Sequence, residues 1–114
     1  MIFLSRSHEL LIDIAEDDGH QNNQEKAIFW LGQKAGRKSL QVLGSIAESD
    51  EATEIKNKAV FAISQHENSK EAAEMLMEIA RNNKNPEVRK KAMFWLGQTG
   101  DKRVLAFFKE ILLQ

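Results

Sequence analysis

The sequence predicts an all-α solenoid of about seven helices. The chain repeats itself with a period of 32 or 33 residues, and apolar residues within each copy recur at helical spacing. No segment shows the alternation of polar and apolar residues that is typical of a strand. At 114 residues, of which 42% are hydrophobic, the chain has the size of one ordinary domain. We therefore expect a single domain over 1–114.

Two interleaved ladders define the repeat. The first lies in the segments QEKAIFWLGQ, IKNKAVFAISQ and VRKKAMFWLGQ, whose equivalent alanines are Ala27, Ala59 and Ala92. The second consists of four isoleucines: Ile14, Ile46, Ile79 and Ile111. Because both ladders step by the same 32 or 33 residues, each repeat is expected to contain one helix of each type.

The first three helices are expected at about 4–17, 23–34 and 37–49. The leading helix ends in the segment IAED, which carries Ile14 of the second ladder. In the next helix, Ala27 and Leu31 lie four residues apart and form an apolar stripe. Leu43 and Ile46 keep helical spacing in the third.

Four further helices are expected at about 53–66, 69–82, 86–98 and 101–113. Their stripes are Ala59 with Ile63, Leu76 with Ile79, and Ala92 with Leu96. The tripeptide Asn85-Pro86-Glu87 is typical of a helix start, with a capping side chain, a proline and an early carboxylate. Gly97 and Gly100 are stop signals, and Asp101 is a candidate cap for the last helix.

A two-helix repeat cannot bury its apolar stripe alone, so the repeats are expected to stack into a solenoid. The arithmetic gives three full pairs, over about 23–49, 53–82 and 86–113, preceded by an orphan second-type helix over 4–17. Three repeats meet the usual minimum for stability. We expect the first-type helices on the convex side and the second-type helices on the concave side.

The last repeat, VRKKAMFWLGQTGDKRVLAFFKEIL, resembles the short bacterial HEAT-like repeat that is also known from phycobilisome lyases. The matching residues are Val88, Arg89, Ala92, Leu96, Gly97, Gly100, Asp101, Arg103 and Leu105. The middle repeat has Ser64 in place of the glycine, and the first has Asn23 where the pattern has an apolar residue. Ankyrin and tetratricopeptide repeats have similar periods, but neither signature is present.

The resemblance implies a right-handed α-α superhelix that serves as a non-catalytic scaffold for a protein partner. It also implies an alternative function, an accessory or lyase-like subunit that positions a chromophore or substrate. Arg89 and Asp101 match positions that often form loop ion pairs in this repeat family. The chain could equally be one piece of a longer repeat array.

Composition and motifs argue against most other functions. Sixteen basic and seventeen acidic side chains leave a net charge of -1, which argues against nucleic-acid binding by bulk charge. No apolar stretch is long enough for a membrane span, and the start MIFLSRSHELL is too short an apolar run for a signal peptide, so a cytoplasmic location is the default expectation. No nucleophile–base pair or carboxylate dyad is present, so we expect no enzyme activity and no cofactor. The pairs His8-Glu9 and His66-Glu67 fall in different repeat phases, so we expect no metal centre.

Aromatic and basic residues recur in the first-type helices. Trp30 and Trp95 occupy equivalent positions and are interpreted as packing between helices. Phenylalanines recur in all three repeats, two residues after the alanine ladder, and either fill the grooves between neighbouring helices or form an outer face: Phe29, Phe61 and Phe94. Groove packing is the preferred interpretation. The basic residues are interpreted as a solvated edge: Lys26, Lys56, Lys58, Arg89, Lys90 and Lys91.

The second-type helices carry aligned acidic rows, which form the candidate partner-binding site. In register on the isoleucine ladder, this strip consists of Glu9, Asp13, Gln41, Ser45, Glu74, Glu78 and Glu110, flanked by Glu16, Glu48 and Arg81. The negative charge of the strip favours a protein partner with a basic segment. An ordinary solvated helix face is the competing interpretation.

The last helix is unusually apolar for the end of a solenoid, where a polar cap is expected. Leu112 and Leu113 replace the small and charged residues of the other copies. This favours either continuation of the array or end-to-end self-association. The competing interpretation is a final helix that folds onto the sixth and buries Phe107 and Leu113.

Overall fold

The protein is described by a computed structural model that covers residues 2–17, 21–34, 36–66, 70–99 and 102–113, with side chains from residue 9 to 16 in the first helix. Within these ranges the backbone forms seven α-helices and no strand. They are α1 (Ile2–Asp17), α2 (Gln21–Gln33), α3 (Arg37–Ala47), α4 (Thr53–Ser64), α5 (Lys70–Asn82), α6 (Pro86–Gly97) and α7 (Lys102–Leu112). The predicted all-α architecture is confirmed.

The helix boundaries follow the local signals in the sequence. The Asn85 side chain caps α6 by accepting a hydrogen bond of 2.9 Å from the Glu87 backbone N–H, and Pro86 occupies the first turn, as predicted. Gly97 is the last residue of α6. Gly100 and Asp101, predicted as a stop signal and a cap, lie outside the described residues.

The helices form two layers with the hydrophobic core between them. The first layer consists of α2, α4 and α6, and the second of α1, α3, α5 and α7. Each first-layer helix packs along the second-layer helix that precedes it in the chain. Both ladders are largely buried: Ala27, Ala59 and Ala92 of the first, with Ile46 and Ile79 of the second. The molecule measures 48 × 29 × 17 Å, as expected for a short stack of repeats.

Helices are spaced more closely in the first layer than in the second. Backbone contacts of α4 with α2 and α6 are extensive, whereas contacts between successive second-layer helices are sparse. Small residues such as Gly32 and Ala62 let the first-layer backbones approach each other. The expected arrangement, with first-type helices on the convex side and second-type helices on the concave side, stays a prediction.

Gly32 marks the tightest approach within the first layer. A Cβ atom added at Gly32 would lie 2.8 Å from Ala62 Cβ and 2.9 Å from Ala62 Cα in the facing helix α4. The equivalent glycine of the last repeat, Gly97, has only the Phe108 ring within reach, at 4.0 Å. The two glycines therefore have different roles, although the sequence presents them alike.

Polar contacts close the edge where second-layer helices end. The buried Asn83 donates a hydrogen bond of 2.8 Å from Nδ2 to the Ala47 carbonyl at the end of α3 and accepts one from the Asn85 N–H. Arg89 donates to the Asn83 carbonyl. Arg89 therefore holds the α5–α6 turn through a backbone carbonyl, while Asp101, its expected ion-pair partner, lies outside the described residues.

The last helix is held mainly by α5. Arg81 of α5 pairs with Glu110 at 3.1 Å and lies over the Phe107 ring, 5.1 Å from its centroid. Phe107 is buried, but Leu112 and Leu113 are 80% and 85% exposed. The interpretation in which the final helix buries both Phe107 and Leu113 is therefore wrong for Leu113, because that residue follows the last turn and faces away from α5.

Replacing Gly32 by alanine is expected to destabilise the fold, because the added methyl group meets the backbone of Ala62 and α2 must move. We expect Gly32→Ala to lower the free energy of unfolding by about 1–3 kcal/mol, the usual cost of overpacking. The matched control, Gly97→Ala, is expected to change it by less than about 1 kcal/mol, in the stabilising direction. Urea unfolding followed by circular dichroism measures both, and equal losses would contradict the proposed role of Gly32.

Candidate functional site

The repeated phenylalanines lie on the outward surface of the first layer. Phe29 is 46% exposed and Phe94 is 55% exposed, whereas Phe61 is half-buried. The preferred interpretation, groove packing, is therefore wrong for Phe29 and Phe94 and holds only partly for Phe61. We call the surface formed by Phe29, Trp30, Phe61, Phe94 and Trp95 the aromatic face.

The two equivalent tryptophans have different surroundings. Trp95 is half-buried and meets Phe61 of α4 edge to face, with ring centroids 4.9 Å apart. Trp30 is 56% exposed, so its predicted packing between helices is wrong. Trp95 is covered by the first-layer helix that comes before its own, α4, whereas no first-layer helix comes before α2 among the described residues. Within those residues Trp30 meets one ring, that of Phe29, at 5.5 Å.

The middle repeat interrupts the row of large rings. Ala62 occupies the position equivalent to Trp30 and Trp95, and it is buried against Gly32. Phe29 therefore lacks the tryptophan that packs on Phe61 in the next helix pair. The exposure of a phenylalanine depends on the residue that the neighbouring helix offers, which the repeat pattern alone does not reveal.

Polar residues flank each phenylalanine in the same order in all three repeats. Three residues before it is a lysine, and four residues after it is a glutamine, so the three side chains share one face of their helix. The lysine row consists of Lys26, Lys58 and Lys91, and the glutamine row of Gln33, Gln65 and Gln98; all six are exposed. The sequence carried this signal as the repeated spacing Lys-x-x-Phe-x-x-x-Gln, but its lysines were interpreted only as a solvated edge.

The lysine row carries no ion pair in the part of the chain that the structure describes. In α4 and α6 the nearest acidic residues on the same face, Glu54 and Glu87, lie seven residues before the phenylalanines, so the lysines lie between these carboxylates and the aromatic face. In α2, Glu25 lies four residues before the phenylalanine, beside Lys26. Glu25 and Glu54 both accept hydrogen bonds from the Gln21 side chain, of 3.3 and 2.9 Å.

The predicted acidic strip lies on the second layer, on the opposite side of the molecule. All seven of its residues are exposed: Glu9, Asp13, Gln41, Ser45, Glu74, Glu78 and Glu110. Two of its carboxylates face basic side chains, because Glu110 pairs with Arg81 and Glu74 lies 4.0 Å from the Lys70 ammonium. Glu78 accepts a hydrogen bond from the neutral Asn82 amide and keeps its charge uncompensated by that contact. The ion pairs therefore reduce the acidity of the strip at Glu74 and Glu110.

Ion pairs also connect the second-layer helices at the opposite edge. Arg37 of α3 donates a hydrogen bond of 2.9 Å to the Glu71 carboxylate of α5. This hydrogen bond, with the attraction of the Glu71 charge, raises the pKa of the Arg37 guanidinium above its ordinary value. Because arginine is already fully charged at neutral pH, this raised pKa leaves the charge of Arg37 unchanged in the physiological range.

A cleft of about 410 Å³ lies at the edge where α3 and α5 end. Polar and charged side chains dominate its lining, including Glu48, Asp50, Lys56 and Lys84. Among the residues with described side chains, no group of three could hold a metal ion. His66 lies in the turn after α4 with Nε2 3.3 Å from the Leu31 carbonyl, while the His8 side chain and Glu67 lie outside the description.

The two tryptophans are expected to contribute differently to stability, because Trp95 is half-buried against Phe61 of α4 whereas Trp30 is 56% exposed. We expect Trp95→Ala to lower the free energy of unfolding by roughly 2–4 kcal/mol and Trp30→Ala by less than about 1 kcal/mol. Urea unfolding followed by circular dichroism measures the difference. Comparable losses would show that Trp30 is buried after all.

Comparison with known protein families identifies the repeat. The family model described as HEAT repeats matches residues 40–114, more than half of the chain, so the protein belongs to the HEAT repeat family. No curated protein and no solved structure matches the chain. No helix in the described ranges is long and apolar enough to span a membrane. HEAT repeats are commonly protein-interaction scaffolds without catalytic activity.

Proposed function

We propose that this HEAT repeat protein is a non-catalytic scaffold whose protein partner lies along the aromatic face. One observation carries the proposal: Phe29, Trp30 and Phe94 are exposed together on the first layer, whose helices are the more closely spaced. Clustered exposed rings of this size mark interaction surfaces in proteins. Tryptophan is also among the residues that contribute most to binding energy at interfaces.

The binding free energy that each kind of contact contributes favours the aromatic face over the acidic strip. Burying a large apolar side chain contributes about 1.5–3 kcal/mol, whereas an exposed ion pair contributes at most about 1 kcal/mol. Several carboxylates of the acidic strip already have partners within the chain, which a basic segment would have to displace. The strip is a second candidate surface, supported by its continuous exposure across four helices.

The alternative function, a lyase-like subunit that positions a chromophore or substrate, receives less support. A deep apolar pocket with converging polar groups would favour it. The cleft between the α3 and α5 ends is open to solvent and lined mainly by polar residues. Neither the aromatic face nor the acidic strip encloses a small molecule.

Removing two exposed rings is expected to abolish partner capture without unfolding the protein. We expect the double variant Phe29→Ser and Phe94→Ser to lose captured partner by about tenfold or more, because each ring loses its apolar contact area. Its melting temperature should stay within a few degrees of the wild type, since both rings are exposed. Quantitative affinity capture from the native host measures the loss.

The matched control for this experiment is a pair of exposed apolar residues elsewhere, Leu10→Ser and Leu105→Ser. It removes similar apolar exposure from α1 and α7 and should leave capture unchanged. Equal loss in the control would attribute binding to general surface hydrophobicity and contradict the proposal.

Charge reversal tests the acidic strip separately. If the strip binds a basic segment, Glu74→Lys with Glu78→Lys should weaken partner capture by about tenfold, and capture should fall with added salt. The control, Asp50→Lys with Glu51→Lys in the α3–α4 turn, makes the same change in net charge. We expect both pairs to leave capture unchanged, because the aromatic face provides the binding energy.

A further inference from the structure

The lysine row, the aromatic face and the glutamine row run in parallel across three helices. Each of α2, α4 and α6 contributes one lysine, one phenylalanine and one glutamine at the same helical spacing. Ammonium groups, rings and amides thus recur in three rows that cross the helices. A ligand that follows these rows meets the same three chemical groups once per helix.

We propose that this surface takes an extended, acidic segment of the partner protein, with an acidic side chain at every third position. The inference rests on the proposed function, because it names the kind of partner that the aromatic face binds. Charge complementarity favours an acidic ligand, because the lysines next to the rings carry no ion pair among the described residues. The carboxylates of Glu54 and Glu87 lie beyond the lysines, on the side away from the rings, and Glu25 beside Lys26 accepts a hydrogen bond from Gln21.

The spacing of the helices gives the periodicity. Closely packed helices lie about 8–10 Å apart between axes. An extended chain advances about 3.3 Å per residue, so about three residues pass each helix. A segment that meets all three lysines therefore places its acidic residues at the first, fourth and seventh positions. A helical ligand advances only about 1.5 Å per residue and would need about six residues for the same step.

The three rows contribute to binding in different ways. The rings supply apolar contact area for the residues between the acidic positions. The lysines fix the register and the charge of the ligand; each exposed ion pair contributes little by itself, and the three together contribute about tenfold in affinity. The exposed amides of Gln33, Gln65 and Gln98 both donate and accept hydrogen bonds, which suits the backbone of an extended segment.

The intrinsic fluorescence of the protein gives a direct readout of this surface. The chain has two tryptophans and no tyrosine, and both Trp30 and Trp95 belong to the aromatic face. A ligand on the acidic strip would leave both indoles untouched. A change in tryptophan emission on titration therefore locates the ligand as well as measuring its affinity.

The test titrates the whole chain with synthetic peptides of about nine residues. The first peptide has aspartate at every third position, with valine and threonine between, which favour extended backbone. The second has the same composition with the aspartates adjacent, and the third has lysine in place of aspartate. We expect the first to shift the tryptophan emission and bind about tenfold more tightly than the other two, with affinity falling as salt rises.

Variants of the lysine row provide the second arm. We expect the triple variant Lys26→Gln, Lys58→Gln and Lys91→Gln to bind the first peptide with about tenfold lower affinity. The control triple, Lys38→Gln, Lys84→Gln and Lys109→Gln, makes the same charge change away from the face and should have less than about a twofold effect. Equal weakening in both triples, equal affinity for the first two peptides, or stronger binding of the basic peptide would overturn the inference.

Failure of this inference is distinguishable from failure of the proposed function. If no acidic peptide binds but the Phe29 and Phe94 variants still lose the captured partner, the face is correct and its ligand is not an acidic segment. If the phenylalanine variants also leave capture intact, both proposals fail. Light scattering of the wild type completes the test: an oligomer dissociated by the lysine-row variant would identify a second copy as the occupant and overturn the inference.

Discussion

The close approach of α2, α4 and α6 is the constraint on which the rest of the structure depends. Gly32 and Ala62 meet almost backbone to backbone, and no larger side chain fits between them. Large residues of the first layer are therefore excluded from that contact and stand at its outer edge. The aromatic face is a product of tight packing rather than a departure from it, because the rings have no room between the helices they belong to.

Because the helices are spaced differently in the two layers, the two layers carry different chemical groups on their surfaces. On the first layer, close helices bring like side chains of successive repeats into continuous lines of ammonium, ring and amide groups. On the second layer, helices are further apart and are joined by long side chains, such as Arg37 to Glu71 and Arg81 to Glu110. Some charged side chains of the second layer are therefore engaged in ion pairs between its helices. A nearly neutral chain thus presents two surfaces of different character.

The sequence predicted the fold well because the repeat period and the alanine and isoleucine ladders depend only on residues within a repeat. The helix ends and the Asn85 cap follow from local chemistry in the same way. Exposure was harder to predict, since it depends on the neighbouring repeat. Trp30 and Trp95 are equivalent by sequence, yet only Trp95 has Phe61 beside it. The regular spacing of the lysine row can be read from the sequence. It indicates a binding surface only together with the exposure of the neighbouring rings, which the structure provides.

Local stability is expected to differ along the array, because α7 has fewer contacts than α4. Helix α7 rests chiefly on α5, through Arg81, Glu110 and the Phe107 ring, whereas α4 is enclosed by helices on both flanks and by the second layer. Detaching α7 uncovers the two buried residues that it contributes, Val104 and Phe107, while opening α4 uncovers five of its own and separates the helices on both sides. Backbone amides of α7 will therefore exchange with solvent hydrogen through local fraying, and those of α4 only through global unfolding. The solenoid behaves as a rigid centre with a final helix that opens first.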